Sequence, residues 1–586
     1  MYQQIIAQQQ TILNSLNKQK SILSWLRLVL LLTAIYCFYL MLFHRDGIYG
    51  FYALALFVVF LVVVHFHTKK QEKVNYHLAL KKINEDEIAF LDGKFNFDEG
   101  KEFQNPQHAF SYDLDLFGRN SIFQFINRTG TSLGKNRLAA NLQEIPTSEQ
   151  ISLKQKAVAE LASNIEFRQH FQTLAALAAT TNKENSAIKN WTTNEASHPN
   201  KIYSVLAVLV PILFVGSLIG YWLNIDEIFG KLSLFFFSLN LVVFGSFTKF
   251  IMNEIGKSDK IATSLQQYAQ MIRFFNENKF ESAYLNQIQA QIKNEKSDAN
   301  VALAELSNLF EKLNTVANLF IFIAFNGTFQ YHFWVYKKLQ NWKKQHLAYL
   351  WNWIEIIGEI ETLNSLANFA YNNQEYVYPA VTEDKIKFKD LGHPLLSKTK
   401  RVRNSIDFAN QQFVILTGSN MSGKSTFLRT VGINLVLSYA GAPIDCKEAQ
   451  VFPLPLWVSM RLTDSLSDSE SFFFAEVKRL KEIVTQAEKQ TIFVLLDEIL
   501  KGTNSDDKKS GTVGVIEKLH QLNVLGMIAT HDLEVCETAD KYPNAMVNKR
   551  FEVEIINDEL HFDYTLKDGI CQNKNATFIM RKMEII

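Results

Sequence analysis

Four uncharged apolar runs dominate the first half of the chain. They cover residues 28–43 and 47–67, and then residues 202–223 and 232–248, with a short polar turn inside each pair. A helix needs roughly 17–25 apolar residues to cross the hydrocarbon core of a bilayer, and the first run reaches this length when residues 22–26 are included. The pattern therefore predicts two transmembrane helical hairpins. The alternative for each run is a buried helix in the core of a soluble protein.

Basic residues lie at the outer ends of the two pairs of runs, while the turns inside the pairs carry fewer. The flanking residues are Lys18, Lys20, Arg27, Lys69, Lys70, Lys73, Lys201 and Lys249. Because positively charged flanks stay on the cytoplasmic side, we expect both termini and the larger polar segments in the cytoplasm, with the chain in the inner (cytoplasmic) membrane. The first run is not a cleavable signal peptide, because a second run follows at once and no small-residue cleavage site appears.

Between and after these runs, polar and apolar positions follow a helical period. Residues 68–112 have the composition of a charged connecting helix and loop, and residues 113–198 are mostly helical, with a break at Pro146 and an N-cap at Thr147 or Ser148. Residues 250–372 contain no proline and few glycines, and their long amphipathic runs predict an almost wholly helical region. Its aromatic-rich residues 325–353 fit either a packed core or a membrane surface.

In the last part of the chain, short β-type apolar runs alternate with helical ones. The run 412–417 precedes a glycine-rich loop, and helical periodicity resumes over residues 426–437. Gly418, Gly423, Lys424 and Ser425 fit the phosphate-loop pattern G-x-x-x-x-G-K-[ST]. A strand, a glycine loop and a helix in this order present backbone N–H groups and the positive end of the helix dipole to an anion. The alternative is a glycine turn that matches by accident.

This loop predicts a site for ATP with Mg²⁺. We expect Lys424 to reach the β- and γ-phosphates and the Ser425 hydroxyl to ligate the metal. The predicted nucleotide-binding residues are Gly418, Ser419, Asn420, Met421, Ser422, Gly423, Lys424, Ser425 and Thr426.

Two further β-type runs end in polar chemistry. The run 491–496 leads into Asp497 and Glu498, and the run 524–530 ends at His531. Because open α/β sheets bind ligands at the carboxyl ends of their strands, we expect Asp497 to hold Mg²⁺ and Glu498 to deprotonate the attacking water. His531 would hydrogen-bond the γ-phosphate or that water. The alternatives are a strand that meets a solvated turn and a surface histidine.

A serine-rich segment, residues 464–476, lies between these strands and passes into a helix. Hydroxyl and N–H groups at a helix start suit a phosphate. Ordinary N-capping by Ser469 or Ser471 explains the same residues equally well, so the pattern leaves both interpretations open.

The charge balance and the cysteine content argue against some classes of protein and site. The 586 residues include 60 Lys and Arg against 59 Asp and Glu, so there is no general basic excess of the kind that a strong duplex-DNA binder carries. Local basic clusters at 337–338, 343–344 and 398–403 are typical of solvated faces. The four cysteines are scattered without a C-x-x-C pair, which fits a reducing compartment and argues against zinc or disulfides.

These motifs resemble the ATPase domain of the MutS family of DNA mismatch-repair proteins, within the ABC ATPase class. Residues 417–426 are similar to the family's phosphate loop, residues 496–503 to its acidic strand and the following turn, and His531 to its final switch histidine. Upstream, residues 391–395 resemble its His-Pro segment, and residues 113–139 resemble the opening of its helical core (lever) domain. The resemblance implies an α/β P-loop (ABC-type) ATPase domain at the carboxyl terminus, preceded by an all-α core region.

The resemblance also implies partners. Two ATP molecules would lie between two ATPase domains, so a homodimer is expected, with Ser471 reaching the γ-phosphate bound by the partner subunit. DNA, mismatched or branched, is the nucleic acid that the family implies, and the four predicted membrane helices add the lipid bilayer as a partner.

The chain departs from the family pattern in several places. Ser469 stands at the signature glycine position, and we find no amino-terminal mismatch-reading domain, no Phe-x-Glu wedge in a suitable place and no Smr-type nuclease domain. The residue that stacks on adenine is expected near Arg401 or Val402, neither of which is aromatic, and Asn404 is a neighbouring family-type position.

Together these patterns predict five segments. They are an amino-terminal membrane hairpin (1–75), a first part of the helical core (76–200), a second membrane hairpin (201–250), a second part of the helical core or lever (251–385) and a MutS-like ATPase domain (386–586). The predicted function is that of a membrane-anchored MutS-like ATPase with slow turnover. The alternatives are an ABC-type membrane ATPase in transport or envelope remodelling without DNA binding, and an idle tether that uses ATP only to set its dimer state.

Overall fold

The structure, a computed structural model, describes residues 1–44, 46–192, 201–255, 258–294, 297–419, 421–461, 472–556, 559–571 and 584–585. Its helices are α1 Tyr2–His44, α2 Gly47–Leu91, α3 Ile122–Ile126, α4 Ser132–Asn141, α5 Ser148–Ser163, α6 Ile165–Ala178, α7 Asn182–Thr192, α8 Lys201–Trp222, α9 Ile228–Ile255, α10 Ser258–Glu277, α11 Ala283–Ile292, α12 Ala299–Asn314, α13 Leu319–Ile321, α14 Gly327–Phe329, α15 Tyr331–Asn372, α16 Lys424–Tyr439, α17 Phe472–Ala487, α18 Ser505–Gln521 and α19 Leu533–Lys541. Its strands are β1 Lys293–Asn294, β2 Ser297–Asp298, β3 Ala380–Val381, β4 Lys387–Leu391, β5 Asn404–Asp407, β6 Phe413–Gly418, β7 Glu448–Val451, β8 Leu456–Ser459, β9 Phe493–Asp497, β10 Leu525–Thr530, β11 Met546–Ile556 and β12 Glu559–Asp568.

Helices α1 and α2 form a long antiparallel hairpin whose two halves differ in character. The half near the turn carries the apolar runs, and its large side chains face outward, as at Phe51, which is 69% exposed. The other half is polar, and Lys20 donates a hydrogen bond to Gln71 across the pair (2.9 Å). The Tyr2 hydroxyl donates to Asn372 at the end of α15 (2.8 Å), which ties the base of the hairpin to the helical region. Helix α2 continues without a break well beyond residue 75.

Among the described residues, four helices are long and apolar enough to cross a membrane, judged by length and composition. They are α1, α2, α8 and the part of α9 that covers Ile228–Met252. Within their most apolar windows only 6%, 6%, 22% and 11% of the residues are buried. Most side chains of these windows are therefore exposed in the structure, whereas a buried helix of a soluble core, the alternative interpretation, would have most of them covered.

Helices α3–α7 and α10–α15 pack into one helical region around α15. The carboxyl half of α15 is almost fully buried, and its Glu361 accepts hydrogen bonds from the backbone N–H groups of Gly130 (2.6 Å) and Thr131 (3.1 Å). Helix α5 begins after the N-cap Thr147, whose side chain forms a reciprocal capping box with Gln150. The predicted break and cap at this point are confirmed.

The carboxyl-terminal part is an α/β domain built on a mixed six-stranded sheet in the order β12-β11-β6-β10-β9-β8. Strands β8, β9, β10, β6 and β11 run parallel, and β12 pairs antiparallel with β11 at one edge. Every residue of β6 is buried, as expected for a parallel strand covered on both faces. A second sheet has four strands in the order β3-β7-β4-β5, of which β7 follows β6 in the chain and the other three precede it.

A short segment of the helical region fixes it to the α/β domain. Asp113 accepts hydrogen bonds from the backbone N–H groups of Met460 and Arg461, both at 2.8 Å. The neighbouring Leu114 is fully buried, and its side chain lies where a Cβ on Gly432 of α16 would be. The two regions consequently share one hydrophobic core.

Candidate nucleotide-binding site

The carboxyl ends of three parallel strands meet at one edge of the sheet. Ala529 of β10 pairs in register with Leu416 of β6 on one side and with Asp497 of β9 on the other. Three groups therefore lie at the same edge of the sheet. They are the glycine-rich loop after β6, the carboxylates at the end of β9, and His531 after β10. Sequence reasoning expected this convergence because successive parallel strands end on the same side.

The loop after β6 has little room for side chains. Gly423, at the start of α16, has φ of +102°, a left-handed conformation that suits glycine. A Cβ on Gly418 would lie only 2.5 Å from the Ser422 hydroxyl oxygen. That hydroxyl oxygen is buried and has no hydrogen-bond partner among the described residues. Since a buried polar atom without a partner is costly, the loop fits a ligand that brings hydrogen-bonding groups, as a phosphate does.

Backbone carbonyl groups of the loop hold the side chain of Lys424 in place. Its ammonium donates to the carbonyl oxygens of Gly418 (2.7 Å) and Ser419 (2.9 Å), and it lies 3.3 Å from Nε2 of His531. Burial lowers the pKa of Lys424 to about 8, against the opposing attraction of nearby carboxylates, Asp497 first among them. The lysine therefore carries its charge at neutral pH with a small margin.

Glu498 lies at a turn that directs its side chain toward two lysines. Its φ is +51°, and its backbone N–H donates to Ala529 (2.9 Å). The carboxylate pairs with Lys508 at 2.9 Å and with Lys501 at 3.6 Å. Burial raises the pKa of Glu498, but the hydrogen bond and charge of Lys508, aided by Lys501, outweigh it and hold the pKa below its ordinary value. Sequence reasoning did not find either lysine partner.

One cavity of about 630 Å³ brings most of the predicted residues together. Its lining includes Met421, Ser422, Gly423, Lys424, Ser425, Thr426, Asp497, Glu498 and His531. Gly418 and Ser419 lie behind the lining, where their carbonyls bind Lys424. Asn420 and Ser471 lie outside the described residues, so their predicted roles stay predictions. A larger cavity, about 1090 Å³, lies in the helical region and contains none of the predicted residues.

An aromatic residue of the last strand, Tyr564, also lines the cavity. Tyr564 of β12 lies so close to the loop that a Cβ on Gly423 would be 3.1 Å from its ring. The φ of Tyr564 is +52°, which is unusual for a bulky residue. Asn404 stabilises this conformation, because its side chain donates to the Tyr564 carbonyl (3.0 Å) and accepts from the N–H of Leu566 (2.7 Å). No sequence pattern around Tyr564 indicated this position.

The two positions named for adenine stacking have different environments. Val402 lines the cavity, whereas Arg401 forms a buried ion pair with Asp445. His393, from the His-Pro segment, also lines the cavity, and burial, with a smaller contribution from the charge of Arg401, lowers its pKa to about 4. His393 is therefore uncharged at neutral pH, and Leu391, Leu396 and Lys400 line the cavity with it. Tyr564 lines the same cavity, as do Phe427 and Phe551, so it is a candidate for the stacking residue that was expected near Arg401.

The serine-rich segment continues into α17, which contacts the Glu498 turn directly. Glu476 accepts hydrogen bonds from the backbone N–H groups of Leu500 (2.6 Å) and Lys501 (3.0 Å). A Cβ on Gly502 would lie 2.9 Å from the Cβ of Phe473. A shift of α17 would therefore move the turn that carries Glu498. Residues 462–471, which include Ser469 and Ser471, lie outside the described residues.

The acidic residues of the site are few. Among the described residues, no group of three or more His, Cys, Asp or Glu is placed to hold a metal ion. Mg²⁺ at a phosphate site needs only one or two protein ligands besides phosphate oxygens and water. Ser425 and Asp497, which line the same cavity, supply oxygen ligands of the kind that Mg²⁺ prefers.

The fold and the site define an α/β domain with a mixed sheet and a glycine-rich loop, which follows an all-α region. Residues 414–583 match the family model described as MutS domain V. The carboxyl-terminal part of the chain is therefore similar to MutS domain V.

Curated relatives match over the same part of the chain. The DNA mismatch repair protein MutS of Thermotoga maritima is 29% identical over 224 residues, which are 37% of this chain and 28% of the relative. MutS protein homolog 4 of Homo sapiens is 28% identical over 243 residues, 39% of this chain and 25% of the relative. The DNA mismatch repair protein MutS of Methanococcoides burtonii is 33% identical over 186 residues, 30% of this chain and 21% of the relative. The chain thus spans about a quarter of the length of these relatives.

Proposed function

We propose that this chain is a membrane-anchored ATPase of the MutS type, which binds ATP with Mg²⁺ and hydrolyses it slowly at the interface of a homodimer. The observation that carries the proposal is the convergence of Lys424, Ser425, Asp497, Glu498 and His531 on one cavity at the carboxyl ends of parallel strands. The match of residues 414–583 to MutS domain V supports the same conclusion.

The phosphates are bound by the loop after β6. Its backbone N–H groups and the start of α16 face the anion, and Lys424 exchanges its two carbonyl partners for phosphate oxygens. Ser425 and Asp497 would hold Mg²⁺, which would supply positive charge to offset that of the phosphates. Tyr564 stacks on the adenine, and the apolar wall around Val402 and uncharged His393 excludes water from the base.

Glu498 is the general base that takes a proton from the attacking water. Its pairing with Lys508 and Lys501 stabilises the carboxylate and makes it a weak base, because a lowered pKa disfavours proton uptake. Glu498 must leave Lys508 before it acts, and we expect this requirement to make turnover slow. The contact of Glu476 with the same turn gives α17 a way to control that step. His531 hydrogen-bonds the γ-phosphate or the attacking water.

The dimer forms through the ATPase domains, with Ser471 of each subunit directed to the γ-phosphate bound by the other. A dimer is proposed on the basis of the family, and ATP is its bridging ligand. Sedimentation of the purified protein with and without ATP, in the Glu498→Gln variant, tests it. The proposal requires a larger species only with ATP.

The lipid bilayer is bound by α1, α2, α8 and α9. Their apolar windows are mostly exposed, and their basic flanks put the termini and the ATPase domain in the cytoplasm, where ATP is available. The chain then lies in the inner (cytoplasmic) membrane. The divisions at residues 75, 200, 250 and 385 describe the proposed alternation of membrane and cytoplasmic parts.

DNA, mismatched or branched, is the proposed partner of the dimer, and this part of the proposal rests on the printed names of the relatives. It is tested by salt-dependent binding of the purified protein to mismatched, branched and matched duplexes. Absence of affinity for all of them at low salt contradicts the DNA role and favours an ABC-type membrane ATPase that acts in transport or envelope remodelling.

The nucleotide chemistry is tested by phosphate release from Mg²⁺-ATP by the purified full chain, with Asp497→Asn as the paired variant. The proposal expects turnover by the natural chain and its loss in the variant. A chain that binds ATP without any turnover, with or without DNA, would be the idle tether.

A further inference from the structure

The connection between α12 and α15 has an unusual composition for a chain reversal. Residues 313–336, from the residue after Lys312 to the residue before Lys337, contain no Asp, Glu, Lys or Arg. The two helices are antiparallel, because Trp342 donates to the Ala302 carbonyl (2.9 Å) and Thr315 lies 3.0 Å from His332. A reversal between helices of a soluble protein is normally polar and solvated.

The tip of this reversal, residues 318–330, is here called the apical segment. It contains α13, a π-helical turn over Phe322–Asn326, and α14. Its large apolar side chains face outward, and the exposed fractions are 85% for Phe320, 66% for Leu319, 58% for Phe329, 48% for Phe325 and 40% for Ile323. So large a group of exposed aromatic and aliphatic side chains marks an interaction surface.

The apical segment contacts α9 at the middle of its apolar run. The side chain of Asn240 donates to the Gly327 carbonyl (3.1 Å), and the side chain of Gln330 donates to the Asn240 carbonyl (2.7 Å). Gly327 also packs on the ring of Phe237. Asn240 is the central residue of Ile228–Met252, the part of α9 that is long enough to cross a membrane, so each end of that stretch is about 18 Å away along the helix.

The helices of the reversal then follow α9 toward its cytoplasmic end. Phe244 packs on Phe322, and Phe247 packs on Phe333 and Tyr336. The next residue, Lys337, begins the charged part of α15. The uncharged part of the reversal therefore coincides with the half of α9 that lies between Asn240 and the basic flank at Lys249.

The polar groups of the broken helix are satisfied inside the protein. Asn240, Asn326 and His332 are completely buried and Gln330 is 1% exposed. Asn326 accepts from the His332 N–H (3.1 Å), and His332 also contacts Thr315. In hydrocarbon, irregular backbone is tolerated only where protein groups satisfy it. A buried polar cluster beneath an apolar exposed surface meets that requirement.

We infer that the apical segment enters the bilayer from the cytoplasmic side as a re-entrant helical hairpin beside α9, with lipid acyl chains as the partner of its exposed side chains. This inference rests on the proposed membrane crossing of α8 and α9. It gives α15 a direct role, because this helix of 42 residues extends from the apical segment to the part of the core that contacts α1. Movements of the ATPase domain would then be passed by α15 to the membrane.

The test is the accessibility of a nitroxide spin label in lipid vesicles that contain the full chain, with Cys37, Cys446, Cys536 and Cys571 replaced by serine. One label is placed through Phe320→Cys and a second through Phe329→Cys. Leu234→Cys, on the exposed side of α9, is the membrane control, and Leu533→Cys, exposed on the α/β domain, is the aqueous control. Collision with oxygen, which concentrates in lipid, is compared with collision with a water-soluble nickel chelate.

The inference expects the labels at 320 and 329 to collide with oxygen and to be protected from nickel, as the label at 234 is. If 320 and 329 collide with nickel while 234 is protected, the apical segment lies in water and the inference is overturned, but the membrane crossing of α9 stands. If 234 also collides with nickel, the membrane crossing itself fails, and the inference fails with it. Labels at 320 and 329 that are shielded from both reagents would show that protein covers the segment, which also overturns the inference.

Discussion

The ammonium of Lys424 lies 3.3 Å from Nε2 of His531, so the loop after β6 and the end of β10 share one electrostatic environment. Burial lowers the pKa of His531, and the charge of Lys424 lowers it further. Burial also lowers the pKa of Lys424 to about 8. At neutral pH the pair is therefore a charged lysine beside an uncharged imidazole. A triphosphate would add negative charge next to both.

ATP affinity is expected to fall as the pH rises above about 8. In the free protein, Lys424 loses its proton in that range. In the complex, attraction by the bound triphosphate raises the lysine pKa and keeps the proton on. Binding above this pH therefore takes up a proton. The logarithm of the association constant should then fall by about one for each pH unit. Titration with a fluorescent ATP analogue between about pH 7 and pH 9.5 measures this slope. Lys424→Arg, which stays charged, is the control, and a flat profile for the natural chain would contradict the assignment.

Replacement of Lys424 by alanine should weaken ATP binding by about 1.5–3 kcal/mol, roughly 10–150-fold, since it removes a charge-assisted hydrogen bond to phosphate. The matched control is Lys509→Ala, which removes a lysine that pairs with Glu534 on the protein surface. Calorimetric titration of both purified variants with Mg²⁺-ATP makes the comparison. Equal affinities would show that Lys424 does not contact the nucleotide.

Lys508→Ala should shift the acid limb of the pH–rate profile of ATP hydrolysis toward higher pH. Lys508 holds the pKa of Glu498 below its ordinary value, so the carboxylate stays deprotonated to lower pH in the natural chain. Without Lys508 the pKa of Glu498 rises, and protonation of the base begins at a higher pH. Lys518→Ala, which breaks a surface pair with Glu488, should leave the limb in place. If the acid limb lies at the same pH in both variants, Glu498 is not the group that accepts the proton.

Tyr564→Ala should weaken ATP binding by about 1–3 kcal/mol, the range for an aromatic ring stacked on a base. Its effect should be absent for inorganic tripolyphosphate, which has no base, and Tyr564→Phe should bind ATP as the natural chain does. Phe562→Ala is the control, since the Phe562 ring stacks on that of Tyr564 with 5.8 Å between the ring centroids. Equal losses for ATP and tripolyphosphate would show that Tyr564 supports the loop and does not contact the base.

Local patterns predicted the elements of the α/β domain well. The predicted strand 412–417 is Phe413–Gly418 in the structure, the run 524–530 is Leu525–Thr530, and the helix expected over 426–437 is Lys424–Tyr439. Their apolar periodicity and the glycine loop are properties of neighbouring residues, so the sequence contains them directly. The convergence of Asp497 and His531 followed from the rule for parallel strands.

Contacts between distant parts of the chain were not predicted. Tyr564 reaches the loop because β12 pairs with β11, and Asn404 fixes its backbone from β5, but neither relation leaves a periodic signal. The pairing of Lys508 with Glu498 depends on how α18 is oriented after β9. The position of the apical segment depends on the packing of α12 and α15 against α9. Contacts of this kind are determined by tertiary packing, so a local sequence pattern does not predict them.

The central claim is that Lys424, Asp497 and Glu498 form one site that binds and hydrolyses ATP. It is tested most directly by measuring ATP binding and phosphate release in parallel for the natural chain and for Glu498→Gln, which has nearly the same shape but no proton acceptor. The account predicts that the natural chain releases phosphate and that Glu498→Gln binds ATP at least as tightly while release falls by about 100-fold or more. Equal phosphate release by the two proteins, or no ATP binding by the natural chain, would contradict it.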